Sequence, residues 1–414
     1  MVNSKQFSLL DVKLIYFLIL TVSMYFFSID LYAPALPSIK VFFQAPFNQV
    51  QWTITLFATG FWSSQLIFGA LISHFDKRKI LLTTSATFSC LSLAAISAPH
   101  IEALYLYRFA QGVCCAAMYV IGFATVRELA EEHRLKTIMP LSSMGFTFMS
   151  AISPIIGGFI IYNGEWHQVF ICMSLAGLLL FSSTYLLFPR SKTKKRALDI
   201  KTISARFIIN EAFTNYKSMI ANATFMISSF ISISAVVAMV VFYQIASFIF
   251  IGEAGITSLD FGFICFLLIM VSVLARVYYL KYLRHSLALN GLFKWSWIAM
   301  GSALMAFMST LFQGMAFIVF FAICYSIFMF SLSIVHCYAL VFAFTEADRS
   351  QAGYSAAIYG TLTASYILVG AVISSVFEPG IIYLIILMLL MAFVCLFGTA
   401  YIQYKKKHLS RHLV

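Results

Sequence analysis

The stretch Ile29-Asp30-Leu31-Tyr32-Ala33-Pro34-Ala35-Leu36-Pro37 closes a hydrophobic run that begins near Leu14. It puts a carboxylate, Asp30, inside apolar sequence. A charged side chain at the centre of a bilayer costs about 2.5–3.5 kcal/mol on insertion scales, so its presence asks for a reason. Asp30 is the one acidic residue well inside a hydrophobic segment, and Arg108 is the one other charge placed as deeply. A bundle that only faced lipid would carry neither.

Hydrophobic residues make up 62% of the chain and charged residues 10%. Soluble globular proteins have about 45–50% apolar and about 25% charged residues, so no soluble core can absorb this much apolar surface. The apolar segments run past the roughly 20 residues a helix needs to cross a bilayer, which argues helices rather than barrel strands. The expected class is an all-α polytopic membrane protein. The first segment is too long, and its flanks too polar and proline-rich, for a cleaved signal peptide.

The net charge of +12 could suit nucleic acid. The Lys and Arg residues instead gather in alternate loops, as they do on the cytoplasmic side of membrane proteins, so no nucleic-acid partner is expected. Eight cysteines fall in apolar segments without metal-ligand spacing or a disulfide framework. They read as small packing residues, and no metal is expected.

Twelve spans are expected, at roughly 13–34, 48–73, 79–98, 102–126, 137–161, 167–188, 217–246, 258–280, 289–311, 314–343, 352–376 and 380–404. Spans 7 and 10 are long enough to require tilt or extra interfacial turns. With the N-terminus inside, the cytoplasmic loops hold Lys77, Arg78 and Lys79, then Arg127, Arg134 and Lys136, then the central loop, Lys281, Arg284 and Arg349, and the tail from Lys405. The opposite loops hold only Lys40, which predicts both termini in the cytoplasm. The basic stretch 189–216 divides the chain into an N-terminal six-helix half, 1–188, and a C-terminal half with a short basic tail, 217–414. The run from Pro189 to Arg196 could bind anionic lipid, but the plainer reading is a solvated linker that fixes topology. Two halves of this kind suit a secondary transporter with its site between repeats. The sequence has no P-loop, no HExxH and no recognisable Ser/His/Asp grouping, so no enzyme activity is expected.

The motifs on these spans resemble the major facilitator superfamily, and more narrowly the Bcr/CflA family of drug:proton antiporters, the bicyclomycin and chloramphenicol exporters. Ile29 to Pro37 matches the first-helix pattern of an Asp, an aromatic and two prolines. Leu104 to Gly112, LYLYRFAQG, matches the fourth-helix Arg followed by Gln-Gly. Gly69 to Lys79, GALISHFDKRK, lies where the loop 2–3 signature belongs, and Met149 to Gly158, MSAISPIIGG, matches the fifth-helix antiporter motif. Gly164 to Phe170, Phe242 to Phe263 and Gln351 to Gly360 follow the start of helix 6, the helix 7–8 connection and the start of helix 11. Two departures stand out. Ser73 replaces the acidic residue of loop 2–3 that helps clasp the halves, and Asp76 replaces a glycine, so the clasp is expected to be weaker or to use Asp76. Met149 and Ser153 replace glycines of the fifth-helix motif.

Asp30 carries two readings: a static ion pair with Arg108, or a proton-coupling site. Burial opposes ionisation and a nearby cation favours it, so access or a changing neighbour can move a proton. Arg108 keeps its charge and could hold substrate, steer Asp30 or pack the bundle. Gln111 and Gly112 follow on its face, which continues to Cys115 and Tyr119 and has the small, polar character of a cavity wall. Phe26, Phe27 and Tyr32 flank Asp30 and are candidates for an apolar ligand wall. His336 is a lone intramembrane histidine that could relay protons, with a hydrogen-bonded packing role as the plainer alternative. Gly69, Asp76, Lys77 and Arg78 are the candidate gating residues of loop 2–3. Pro154 interrupts span 5, and Gly157 and Gly158 permit close helix approach there.

The resemblance therefore implies a major facilitator fold of twelve helices in two six-helix halves. It also implies proton-coupled export of amphipathic small molecules across the bacterial inner membrane. The expected partners are a small-molecule substrate, protons and the lipid bilayer. The protein is expected to act as a monomer without a cofactor, on the proton gradient. An exporter of one endogenous metabolite such as a siderophore, and a non-transporting receptor or assembly factor, are the alternatives.

Overall fold

Inside hydrocarbon a backbone has to satisfy its own hydrogen bonds, and this chain does so with helices. The computed structural model describes residues 8–163, 165–188, 205–247, 258–284, 288–312, 314–376 and 381–411. Among the described residues there is no strand. The helices are α1 Leu9–Asp30, α2 Leu36–Phe43, α3 Phe47–His74, α4 Lys77–Ile96, α5 Ile101–Leu129, α6 Glu132–Asn163, α7 His167–Leu187, α8 Ala205–Ala221, α9 Ala223–Ser247, α10 Ser258–Tyr278, α11 Ala288–Phe307, α12 Gly314–Glu346, α13 Ala352–Val376 and α14 Ile381–Arg411. Ten of the twelve expected spans each fall on one α-helix, and spans 1 and 7 each cover a break. Among the described residues nine are long and apolar enough to cross a membrane on their own composition, and α9, α11 and α13 supply the other three positions.

The first span corrects the expected boundaries. Ser8 caps α1 through a capping box with Asp11, which satisfies two orphan N–H groups. At the other end Pro34 and Pro37 remove donors and disfavour the preceding residues as helix. The chain nevertheless turns through a short 3-10 segment, Ala33–Ala35, and resumes as α2. The apolar helical run is Leu9–Phe43, 35 residues long. Lys40 is thus on a helix rather than in a loop, and the connection shrinks to the turn at Gln44, whose φ of 50° forms a left-handed cap.

Span 7 is also broken. Asn222 ends α8, its Oδ1 accepts from Phe225 N at 3.1 Å to start α9, and its Nδ2 donates to Glu346 O at 3.5 Å. Residues 205–216, expected in the linker, belong to α8, where Tyr216 Oη donates to Leu66 O. The basic run 189–196, Gly164 and residues 248–257 of the helix 7–8 connection lie outside the described residues, as do the side chains of Cys265 and of the tail beyond Lys405.

The chain divides into two compact units. The first holds Met1–Ile138, Gly145–Met219 and Ala347–Ala364, and the second holds Met139–Met144, Ile220–Glu346 and Ser365–Val414. In the first, α3 and α5 run backbone against backbone: a Cβ on Gly112 would collide with the Phe57 carbonyl. Association between helices in lipid depends on such close packing, because hydrocarbon outside is as apolar as the side chains. Large apolar side chains point outward accordingly, with Leu106 72%, Phe159 71% and Leu186 74% exposed. The described cysteines are free. Most are buried, but Cys90 is exposed, so packing does not account for it.

Candidate functional site

Asp30 is the last residue of α1 and lies inside the 35-residue run Leu9–Phe43. Its carboxylate is part-buried, and its Oδ2 accepts a hydrogen bond from Ser150 Oγ of α6 at 2.5 Å.

Arg108 does not pair with Asp30: among the described residues no cation stands within ion-pair distance of that carboxylate. Arg108 is 0% exposed. Its guanidinium carbon sits 4.3 Å from the Tyr32 ring centroid and 4.3 Å from that of Phe57. One nitrogen donates to Ser28 O at 3.2 Å and the other to Gln111 Oε1 at 3.1 Å. The reason is helical geometry. Ser28 and Asp30 are two residues apart, about 200° around α1, so a group on α5 that reaches Ser28 is on the opposite side from Asp30. Ser28 is also in the last turn of α1, where carbonyls lack intrahelical donors and the helix end favours a cation. Arg108 serves that helix end.

The network continues from there. Gln111 Nε2 donates to Ser92 Oγ of α4 at 2.8 Å, and Tyr32 Oη donates to Thr53 Oγ1 of α3 at 2.9 Å. Gln111 and Tyr32 are both 0% exposed. The face from Arg108 to Tyr119 is not a cavity wall but a sealed polar seam: Cys115 is buried, and the Tyr119 ring meets Phe61 edge-on at 5.5 Å. The flanking aromatics also divide. Phe26, one turn before Asp30, is part-exposed and stacks on Phe146 of α6 at 6.1 Å, whereas Phe27 and Tyr32 are buried. Asp30, Phe26 and Ser150 are the accessible group.

The fifth-helix motif packs against this spot. A Cβ on Gly157 would strike the Leu31 carbonyl, while one on Gly158 would meet nothing within 4 Å. Only the first of the two glycines serves close approach. Pro154 lies within the continuous helix α6.

Loop 2–3 is reassigned. Asp76 caps α4, accepting from Arg78 N at 2.9 Å. Lys77 pairs with Glu128 of α5. Arg78 donates to Tyr185 O at 2.7 Å. Segment 347–364 is instead fastened by arginines to carbonyls: Arg127 donates to Ala347 O, and Arg349 to Ala130 O at 3.1 Å. Gly69 packs on Ala357 and Tyr216, with Gly353 O 3.1 Å from where its Cβ would be.

In the second unit His336 is 1% exposed, and its Nδ1 lies 3.0 Å from Ser232 O and 3.1 Å from Ser232 Oγ. Its Nε2 is buried without a hydrogen-bond partner among the described residues. Asp30 and Arg108 are also not the sole buried charges. Asp11, Arg127 and Arg276 are 5%, 6% and 5% exposed. Asp11 and Arg127 lie within a turn of helix ends, whereas Arg276 lies inside the apolar helical run Phe266–Leu283. Ser28, Thr53, Phe57, Ser92 and Ser150 escaped sequence reasoning. For Ser150 a signal was present: it stands four residues before Pro154 in the quoted motif.

Comparison with known proteins agrees with this architecture. A bicyclomycin resistance protein homolog of Haemophilus influenzae is 26% identical over 251 residues, covering 60% of this chain and 61% of that protein. The multidrug resistance protein MdtL of Shewanella oneidensis is 26% identical over 173 residues, 42% of this chain and 44% of that protein. The matched stretch is thus less than two thirds of either relative. Among solved structures, the proton:xylose symporter XylE superposes with a TM-score of 0.73 at 12% identity, over 95% of both chains. A bacterial homologue of the iron transporter ferroportin, in an outward-facing state, gives 0.72 at 13% identity, over 94% of this chain and 98% of that one. At such identities the likeness shows the fold. The family model of the Major Facilitator Superfamily matches residues 18–371, and the chain belongs to that superfamily of membrane transporters.

Proposed function

We propose that this transporter exports amphipathic small molecules in exchange for protons, by alternating access across the bacterial inner membrane. The observation that carries the reading is the Asp30 carboxylate: part-buried inside the apolar run Leu9–Phe43, held by a hydroxyl and, among the described residues, not locked to a cation. A group so held can gain and lose a proton without breaking an ion pair. Phe26 beside it offers an apolar contact. The drug-resistance names of two relatives support a xenobiotic substrate class.

Proton entry from the outer side favours return to the inward-facing state, and substrate arriving from the cytoplasm favours deprotonation. Each ligand moves the equilibrium only by its differential affinity for the two states. The Lys and Arg distribution supports cytoplasmic termini. The proton gradient supplies the energy, no cofactor takes part, and one chain is the working unit.

The test uses inverted membrane vesicles from an efflux-deficient host, with chloramphenicol and a lipophilic cationic dye as probes. The wild-type protein is expected to accumulate at least one of them on a pH gradient and to lose the accumulation when the gradient is collapsed. Asp30→Asn is expected to retain downhill exchange and lose uphill accumulation. A folded Asp30→Asn protein that still pumps uphill would place the coupling site elsewhere.

A further inference from the structure

We infer that Ser150 is the positioning residue for Asp30, and that its turn of α6 is where the carboxylate's charge state is passed to the fifth-helix motif. The inference rests on the proton-site reading of Asp30 and names the group through which that site acts.

Three observations converge. The first is the direction of the hydroxyl. Serine and threonine inside helices commonly bond the carbonyl four residues back, and that is the habit here: Thr21 bonds Phe17 O, Ser28 bonds Met24 O, Ser92 bonds Phe88 O and Ser153 bonds Met149 O. Ser150 instead reaches across to Asp30 Oδ2, 120 positions away in sequence, at 2.5 Å. A hydroxyl both donates and accepts, so this contact survives in either charge state but changes direction and strength.

The second is the backbone. Pro154 stands four residues after Ser150 and has no N–H, so it cannot make the i to i−4 bond to the Ser150 carbonyl. The turn that holds the Asp30 partner is therefore one where the ladder of α6 is weakened, as it also is before Pro140. The third is the packing. Gly157, two turns on, brings α6 against the Leu31 carbonyl, the residue that follows Asp30. One end of α1 is thus joined to α6 by a hydrogen bond at Ser150 and a backbone contact at Gly157, on either side of Pro154.

Among the described residues no other ionisable group is shown hydrogen-bonded or ion-paired to the Asp30 carboxylate. Tyr32 bonds Thr53, and Arg108 and Cys115 on α5 are turned to Ser28. The one ionisable residue of α3 is His74, at its far end, and α6 keeps its own near its two ends, from Glu132 to Lys136 and at Tyr162. On α7, His167 bonds Glu165, and Cys172 is bonded to no described group.

The test needs no substrate. Dicyclohexylcarbodiimide modifies protonated carboxyls in apolar surroundings, and its adduct on Asp30 can be quantified by peptide mass across a pH series on the full chain in detergent. Ser150→Ala is expected to move the pH of half-labelling by about one to two units, the size of one hydrogen bond to a charged group. Ser150→Thr, which keeps the hydroxyl, is expected to hold the wild-type midpoint. Ser150→Cys, a weak donor of similar size, is expected to shift like Ser150→Ala and stands in if the alanine protein does not fold. Wild-type midpoints in Ser150→Ala or Ser150→Cys would overturn the role of Ser150 while leaving Asp30 as a proton site. Absence of pH-dependent label on wild-type Asp30 would instead overturn the proton site, and the role of Ser150 with it.

Discussion

The Arg108 guanidinium carbon lies 4.3 Å from the centroid of the Tyr32 ring, two residues beyond the carboxylate with which sequence alone would pair it. With Phe57 at the same distance and Ser28 O and Gln111 in hydrogen-bond reach, the arginine is held by its plane as much as by its charge. Arg108→Lys keeps the charge and loses the planar fork. It is expected to cost about 1–2 kcal/mol of stability through lost stacking and to lower uphill transport while the protein still expresses. Arg108→Ala also strands buried acceptors, so about 2–4 kcal/mol is expected. Thermal denaturation in detergent and vesicle transport check both. An unchanged melting temperature in Arg108→Lys would mean that the planar contacts contribute nothing.

Gly157 and Gly158 are neighbours with opposite expectations. Gly157→Ala drives a methyl into the Leu31 carbonyl, a backbone atom that cannot swing aside. Separation of α6 from the end of α1, lowered stability and lowered transport should follow. At Gly158 nothing stands within 4 Å, so Gly158→Ala should be neutral or stabilise by about 0.5–1 kcal/mol through helix propensity. Equal effects at the two positions, read by melting temperature, would contradict the packing described.

The twelve spans were legible because hydrocarbon demands long apolar helices, and that demand is written residue by residue. The breaks were less so. Pro34 and Pro37 read as the end of a span, yet a 3-10 turn carries the chain through them into α2, because each proline removes only one donor. The start of span 7 depended on Asn222 acting as a cap, and one asparagine in apolar sequence does not announce that. At the site, Asp30 and Arg108 stood out as charges, but their partners did not. Ser150 looks like any helical serine, and Ser28 contributes a carbonyl, which no side-chain pattern records.

Arg127 and Arg349 link the end of α5 to segment 347–364. Both donate to carbonyls, Ala347 O and Ala130 O. Arg127→Gln removes the fork and should free segment 347–364 from the end of α5. In a cysteine-free background, a single cysteine at position 130 should react with maleimide several-fold faster once Arg127 is replaced. The same rate in both backgrounds would show that the bonds do not fasten the segment.

The orientation is tested apart from any mechanism. A cysteine introduced at Lys194 should be labelled only after the membrane is made permeable, and one at Lys40 should be labelled from outside in intact cells. Label on position 194 from outside alone would invert the arrangement and with it the direction of proton entry.

His336 separates packing from proton relay. Its Nδ1 faces the carbonyl and hydroxyl of Ser232, while its Nε2 is buried without a partner among the described residues. Asparagine places an amide near the position of Nδ1 and cannot carry a proton onward. His336→Asn should therefore keep the Ser232 contact, near-wild-type stability and, if Asp30 is the coupling group, uphill transport. His336→Leu loses the contact, a cost of about 0.5–1.5 kcal/mol for one hydrogen bond. The relay reading predicts a different pattern: His336→Asn would fold and bind but fail to accumulate substrate on a pH gradient. The two readings thus diverge on one variant that both allow to fold, and accumulation in that variant assigns His336 to the packing of the second unit.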